Sequence, residues 1–199
     1  MVTEYNDAPQ FGSNCCRNDP TFSPLFNSLA VSELLNSIYA GAPRVPATIN
    51  YFRAGDSSSS FCLLATAGTN CVWTGGTLFP FPQYYAFQLI ASPEYLALSS
   101  GSYVTPTLPT MSVSLRGSAF YNSHSASLLL INPSSTTYNQ ITISLANTGI
   151  SNASASLFVL NSTNPTIATS QVQLSATSAQ SYSTTITIPP YSVVGVRIE

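Results

Sequence analysis

Apolar and polar residues follow two different rhythms along this chain, and the change falls near residue 100. Residues 1–6 (MVTEYN) predict a short apolar strand, followed by a Gly/Asn/Pro-rich loop to about residue 22. In SPLFNSLAVSELLNSIYAG (23–41), Phe26, Ala30, Leu34 and Ile38, joined by Val31 and Leu35, recur at the spacing of one helix face. Ser23 suits the N-cap, Pro24 the first helical position and Gly41 the C-terminal cap. VPATINYFR (45–53) predicts a second strand, and a loop bounded by cysteines follows. PQYYAFQLIA, opened by Pro82, predicts a second helix, with Ser92-Pro93 starting a short extra turn. This strand–helix–strand–helix order is that of parallel α/β structure.

Past residue 100 the helical period disappears. The runs 111–117, 118–122, 125–132, 140–147, 155–161, 171–175, 183–189 and 193–199 are short and strand-like, with Pro, Gly, Asn and Ser clusters between them. Roughly eight strands of this kind predict an antiparallel β-sandwich. The expected fold class is therefore mixed α/β plus all-β, with an α/β segment over 1–100 and the sandwich over 101–199.

Composition narrows the partners. Of 199 residues, 44% are hydrophobic and only 6% charged, with five Arg, no Lys and seven acidic residues. A soluble domain typically carries about 25% charged residues. The chain thus lacks the basic patch that nucleic acid or an anionic membrane requires, and neither is an expected partner. Ser, Thr, Asn and Tyr supply the polar surface, so solubility should depend little on pH, which suits an extracellular, secreted protein. No signal peptide is apparent and no apolar run is long enough to span a bilayer, so an exported chain would be a processed or partial one.

Four cysteines agree with an oxidising compartment. Cys62 and Cys71 flank an eight-residue polar loop and could close it as a disulfide, and Cys15 and Cys16 are adjacent, open to a strained vicinal bridge. Three pairings are possible, free buried thiols are the alternative, and neither pair has zinc-ligand spacing. Asn152-Ala-Ser and Asn161-Ser-Thr match the glycosylation sequon, in a chain so rich in Ser and Thr that such matches arise by accident.

The order of elements and the stretch VTEYN (2–6) together resemble the C-terminal part of secreted retaining glycoside hydrolases of the (β/α)8-barrel clan. There, strand seven ends in the nucleophilic glutamate, often within a motif like T-E-[YFW]-[NS]. The resemblance implies that Glu4 is the nucleophile, that ATINYFR is strand eight, and that the second helix closes the barrel before the sandwich. The ending IPPYSVVGVRIE is similar to the final sandwich strand of several such families. The implied architecture is a partial (β/α) barrel segment, its last two β/α units, and then the sandwich.

Chemistry in such barrels gathers at the C-terminal ends of the strands. Retention requires a carboxylate about 5–5.5 Å from a second, proton-donating carboxyl. The family's acid/base glutamate ends strand four, and no residue of this chain corresponds to it. Glu33 in the first helix and Glu94 in the turn after the second are weak substitutes, since such acids ordinarily face solvent. Asp7 and Asp19, in the loop after strand seven, could approach the mouth, and Asp56 lies in the loop after strand eight, each a weak substitute too. For Glu4 the plain alternative is a solvated strand-end carboxylate. Tyr5, Asn6, Tyr51 and Trp73 are candidate sugar-binding residues at or beyond strand ends; Tyr51 and Phe52 also suit a barrel core. Tyr84, Tyr85 and Phe87 fit helix packing. His124, the one histidine, has no G-x-S-x-G elbow to serve. No phosphate loop, dinucleotide fingerprint or metal constellation is present in the sequence, so no cofactor is expected.

Two readings follow. One is a glycosidase-derived chain that binds carbohydrate, inactive or weakly active unless another chain complements its barrel. The other is a non-catalytic extracellular module that binds carbohydrate or assembles through its sandwich. Two β/α units cannot close on themselves, so the segment must pack on its own sandwich, self-associate or dock on a partner, and a homo-oligomer or a complementing barrel chain is the expected partner.

Overall fold

The computed structural model describes residues 2–5, 28–29, 31–32, 49–51, 64–66, 78–80, 82–98, 102–104, 106–108, 115–146, 148–164, 166–178 and 180–199. Strands β1 (Val2–Tyr5), β2 (Ile49–Tyr51), β3 (Leu64–Thr66) and β4 (Leu78–Pro80) precede helix α1 (Pro82–Ala91). After it come β5 (Ser102–Val104), β6 (Arg116–Tyr121), β7 (Ala126–Asn132), β8 (Tyr138–Leu145) and β9 (Ala155–Leu160). The chain continues through β10 (Ala168–Val172), β11 (Ser175–Ser178), β12 (Ser181–Ile188) and β13 (Ser192–Ile198).

The expected antiparallel sandwich is present. A six-stranded sheet in the order β10-β9-β13-β7-β6-β5 faces a three-stranded sheet in the order β11-β12-β8. Between them lies a core of Leu115, Leu130, Ile143, Ile186, Ile188, Val194, Val196 and Ile198. The chain crosses from one sheet to the other at Gln173–Leu174, where Leu174 packs into this core and the Thr184 hydroxyl donates to the Gln173 carbonyl at 2.8 Å. The run 171–175, expected as one strand, is therefore split between β10 and β11.

The six-stranded sheet is covered on its other face as well. Ala86, Leu89 and Ile90 of α1, with Leu96 and Leu98 after it, pack on Phe120, Leu129, Ile131, Phe158, Leu160 and Val193. This explains why β7 reads Leu-Leu-Leu-Ile instead of alternating: Leu129 and Ile131 face the helix, while Leu128 and Leu130 face the second sheet. Gly195 in central β13 lies where Leu96 crosses the sheet. A Cβ there would come within 3.0 Å of the leucine's methyl groups. Arg197 fixes the same crossing by donating from Nη1 to the Tyr95 carbonyl at 3.1 Å and to that of Pro93.

Other expectations needed adjustment. Runs 111–117 and 118–122 were expected as separate strands, yet 116–121 form one strand, β6. Gly117 is a packing glycine, not a turn, because a Cβ would meet Leu130 and Leu108 at 3.2 and 3.3 Å. The cysteine-bounded polar stretch is not wholly loop: Ala65 pairs antiparallel with Phe79 in a β3–β4 hairpin. In the first predicted helix, residues 28–29 and 31–32 are helical. There Ser32 Oγ lies 2.7 Å from Ser118 Oγ of β6, and Leu29 and Val31 pack on the helix-side core. Small serines, not only the expected apolar stripe, thus bring this segment close to the sheet. Phe26, Ala30, Leu34, Leu35 and Ile38 lie outside the described residues.

Loop polar groups are satisfied locally. Asn132, fully buried at the end of β7, donates from Nδ2 to the carbonyls of Thr136 and Pro189, each at 2.7 Å. Its Oδ1 accepts from the Ser134 amide at 3.1 Å and the Ser134 hydroxyl at 2.7 Å. One amide thereby ties the β7–β8 loop to the β12–β13 loop. The Tyr121 hydroxyl donates to the Thr148 carbonyl, and the Tyr182 hydroxyl to that of Ile150 at 2.9 Å, which clasps the β8–β9 connection.

Candidate functional site

VTEY and INY run side by side in the same direction, with Val2 opposite Ile49 and Tyr5 opposite Tyr51. Three steps along β1 match two along β2, so β1 carries one extra residue in its Thr3–Glu4 stretch. Such a bulge raises local twist and re-aims the residue beside it, and bulges recur at barrel rims and next to reacting groups. Both strands finish together, which puts Glu4 and Tyr5 at the same end of the pair as Tyr51. This is the C-terminal end of parallel strands, where α/β folds place their ligands. Nothing in the sequence pattern signalled the bulge, because strand period and composition are unchanged by one inserted residue.

Of the predicted site residues, the structure thus brings Glu4, Tyr5 and Tyr51 to one sheet end through their backbone positions. Asn6, Trp73, Cys15, Cys16, Cys62 and Cys71 lie outside the described residues, as do Asp7, Asp19, Glu33, Phe52 and Asp56. Glu94 is exposed in the turn after α1, where its amide donates to the Ser92 hydroxyl at 3.2 Å. His124, expected in a strand-like run, sits exposed in the β6–β7 turn with its amide on Asn122 Oδ1 at 2.8 Å. Asn122 outcompetes the strand there by accepting from successive turn amides.

Tyr84 and Tyr85 are half-buried in α1, edge to face with ring centroids 5.6 Å apart, and Tyr85 packs on the helix-side core. Tyr95 meets Phe158 edge to face at 5.3 Å. Burial holds the Tyr95 phenol above its ordinary value of 10.0, with smaller contributions from Glu94, Tyr84 and Tyr85. It is a packing tyrosine.

Another candidate place is a cavity of about 590 Å³ between the sheets, on the side where they end in β5 and β8. Leu108, Leu115, Leu128, Leu130, Ile141 and Ile143 dominate its walls. Its described lining contains no carboxyl, imidazole, thiol or amine, only the hydroxyls of Ser, Thr and a Tyr121 already bonded to Thr148. No described base stands beside those hydroxyls to activate one as a nucleophile. The strand ends of β1 and β2 are the better candidate. Among the described residues no three His, Cys, Asp or Glu gather as metal ligands, and no helix is long and apolar enough to cross a membrane.

No protein-family model matches the chain, and no curated protein matches it by sequence. Solved structures do match by fold. A glycoside hydrolase family 30 subfamily 8 xylanase from Clostridium acetobutylicum superposes with a TM-score of 0.59 at 15% identity, over 100% of this chain and 42% of its own. A β-porphyranase of glycoside hydrolase family 86 from the human gut bacterium Bacteroides plebeius gives 0.60 at 15% identity, over 99% and 34%. A conserved exported protein from Bacteroides fragilis gives 0.55 at 11% identity, over 98% and 38%. The chain therefore has the fold of the C-terminal region of glycoside hydrolase chains, and it spans well under half of their length.

Proposed function

We propose that this chain is the C-terminal portion of a secreted retaining glycoside hydrolase, with Glu4 as its nucleophile. Its first hundred residues would contribute the last two β/α units of a (β/α)8 barrel. The observation that carries this reading is the parallel β1–β2 pair, which ends in step at Tyr5 and Tyr51 and is bulged at Thr3–Glu4. Agreement in fold, over nearly all of this chain, with part of a xylanase chain and part of a porphyranase chain supports it. The low charge, and the exported protein among the similar structures, support secretion.

In this mechanism the Glu4 carboxylate attacks the anomeric carbon of a bound sugar and forms a glycosyl ester. The glycosidic C–O bond breaks as a second carboxyl, contributed from outside this chain, gives its proton to the leaving oxygen. That carboxylate then takes a proton from water, which attacks the same carbon and releases Glu4 with overall retention. Tyr5, Asn6, Tyr51 and Trp73 would offer rings and an amide to the sugar, and Cys62–Cys71 and Cys15–Cys16 would staple the mouth loops.

The test is chemical rescue in the chain joined to, or complemented by, the rest of a barrel. Glu4→Ala should remove turnover of an activated aryl glycoside, and azide should restore it by giving a glycosyl azide of inverted configuration. Turnover in Glu4→Ala equal to that of the parent, without azide, would make Glu4 a bystander.

One observation favours a second reading, a non-catalytic carbohydrate-binding module. Ser175, Ser183 and Ser144 align across the three-stranded sheet, and Thr185 pairs with Thr142 beside them, an uncharged hydroxyl face suited to polysaccharide. Sugar binding that survives Glu4→Gln in a chain without hydrolytic activity, even when complemented, would select it.

A further inference from the structure

Both sequons sit in turns that flank β9, and the fold treats them in opposite ways. Asn152 lies exposed in the β8–β9 connection, with φ at 55°, a left-handed conformation that asparagine tolerates better than most residues. Its sequon hydroxyl, on exposed Ser154, is also at the surface, 3.5 Å from the Glu199 carbonyl. Ser154 and Glu199 exchange backbone hydrogen bonds at 2.8 and 3.1 Å, so the turn is held by main chain and does not depend on the Asn152 amide. Ser151 beside it is exposed too. A bulky group on Nδ2 would leave into solvent without displacing the core.

Asn161 is only 9% exposed. Its Oδ1 accepts from the amides of Thr163 and Asn164 at 3.0 and 2.8 Å, and its own amide donates to the Asn164 carbonyl. This side chain builds the β9–β10 turn from within, next to buried Leu160. A glycan on this largely buried side chain would crowd the turn that its Oδ1 holds together. Chains modified there during synthesis would fail to complete the turn.

We infer that Asn152 is a glycan-bearing site and that Asn161, despite an equally good sequon, is unmodified in the folded protein. The donor class is a lipid-pyrophosphate-linked oligosaccharide in a secretory pathway with an oligosaccharyltransferase. Asn152 Nδ2 forms a bond to the anomeric carbon of the first sugar, the bond from that carbon to the pyrophosphate oxygen breaks, and the lipid pyrophosphate leaves. The amide proton passes to a carboxylate of the transferase. This inference is independent of Glu4 and of any hydrolytic activity, so neither result decides the other.

The experiment is secretion of the full chain from a eukaryotic host, with peptide mapping of the soluble, protease-resistant fraction after enzymatic deglycosylation in 18O-labelled water. The expected result is the isotopic mark at Asn152 and none at Asn161, with one glycan's mass lost on deglycosylation. Ser154→Ala should abolish that shift, and Asn152→Asp, which keeps the left-handed preference, should do the same if the first variant folds poorly. Thr163→Ala, which removes the other sequon but keeps the Thr163 amide that bonds Asn161 Oδ1, should leave the shift unchanged. A protease-resistant chain bare at Asn152, or marked at Asn161, would overturn the inference.

Discussion

The strand pair β1–β2 and the sandwich that follows it solve opposite problems. The pair is four residues against three, parallel, and interrupted by a bulge. Such a pair is too small to be stable alone. In the sandwich, β13 pairs without a break along β7 on one side and β9 on the other, and both faces of that sheet are buried. One region can hold a reactive group but depends on neighbours for its geometry. The other supplies rigidity, and its described cavity offers hydroxyls without a base to activate them. The difference indicates that activity and stability should separate when residues are changed.

The largest separation is expected at Glu4. Glu4→Ala should remove all turnover in a complemented enzyme while changing stability by no more than about 0.5 kcal/mol, the range usual where no packing or buried pairing is lost. Calorimetry beside the activity assay would show both, and a large loss of stability would instead make Glu4 structural.

Truncation tests the reverse. A domain boundary near residue 100 is part of the proposal, yet Leu89, Leu96 and Leu98, each at most 1% exposed, lie on its far side. Burying a leucine is worth about 1.5–3 kcal/mol, so losing three costs roughly 5–9 kcal/mol, comparable with the whole stability of a domain. Residues 101–199 should still give a cooperative melt, but far below that of residues 82–199. Equal melts would mean that α1 merely rests on the sheet.

Asn132→Ala should come next. It strips four hydrogen bonds from two loops, whose partners Ser134 and Pro189 are half-buried, a loss of about 3 kcal/mol measurable by urea unfolding. Gly195→Ala should cost about 1–2 kcal/mol, since the new methyl pushes on Leu96 where α1's following turn crosses β13. Its partial recovery in the double variant with Leu96→Val would locate the strain.

The smallest effect is at high pH. The folded state holds the Tyr95 proton more tightly than the unfolded state does. Its contribution to stability is therefore complete below pH 10 and is lost as pH rises through the raised value. Ultraviolet titration should find a late-ionising tyrosine that Tyr95→Phe removes.

Local rules carried much of this fold. Helix α1 spans PQYYAFQLIA, the residues expected from its opening proline and apolar content. β7, β9, β12 and β13 fall within a residue or two of their expected runs. What local rules could not carry was long-range. Gly117 punctuates the sequence like a turn, yet it serves close packing, and only the positions of Leu130 and Leu108 reveal that. Leu174 continues an apparent strand while the chain is changing sheets. At the candidate site, VTEYN marked the glutamate, but the register against Ile49–Tyr51 and the bulge depend on a partner strand far along the chain.

The central place of β13 has a consequence for how the protein is made. Its neighbours β7 and β9 emerge from the ribosome well before it, and neither pairs with the other in the finished sheet. Until residues 192–198 are free to insert, the six-stranded sheet is two separate pieces with exposed edges. Assembly of the sheet must wait for that late segment, and its unpaired edges stay open to mispairing until the middle strand arrives.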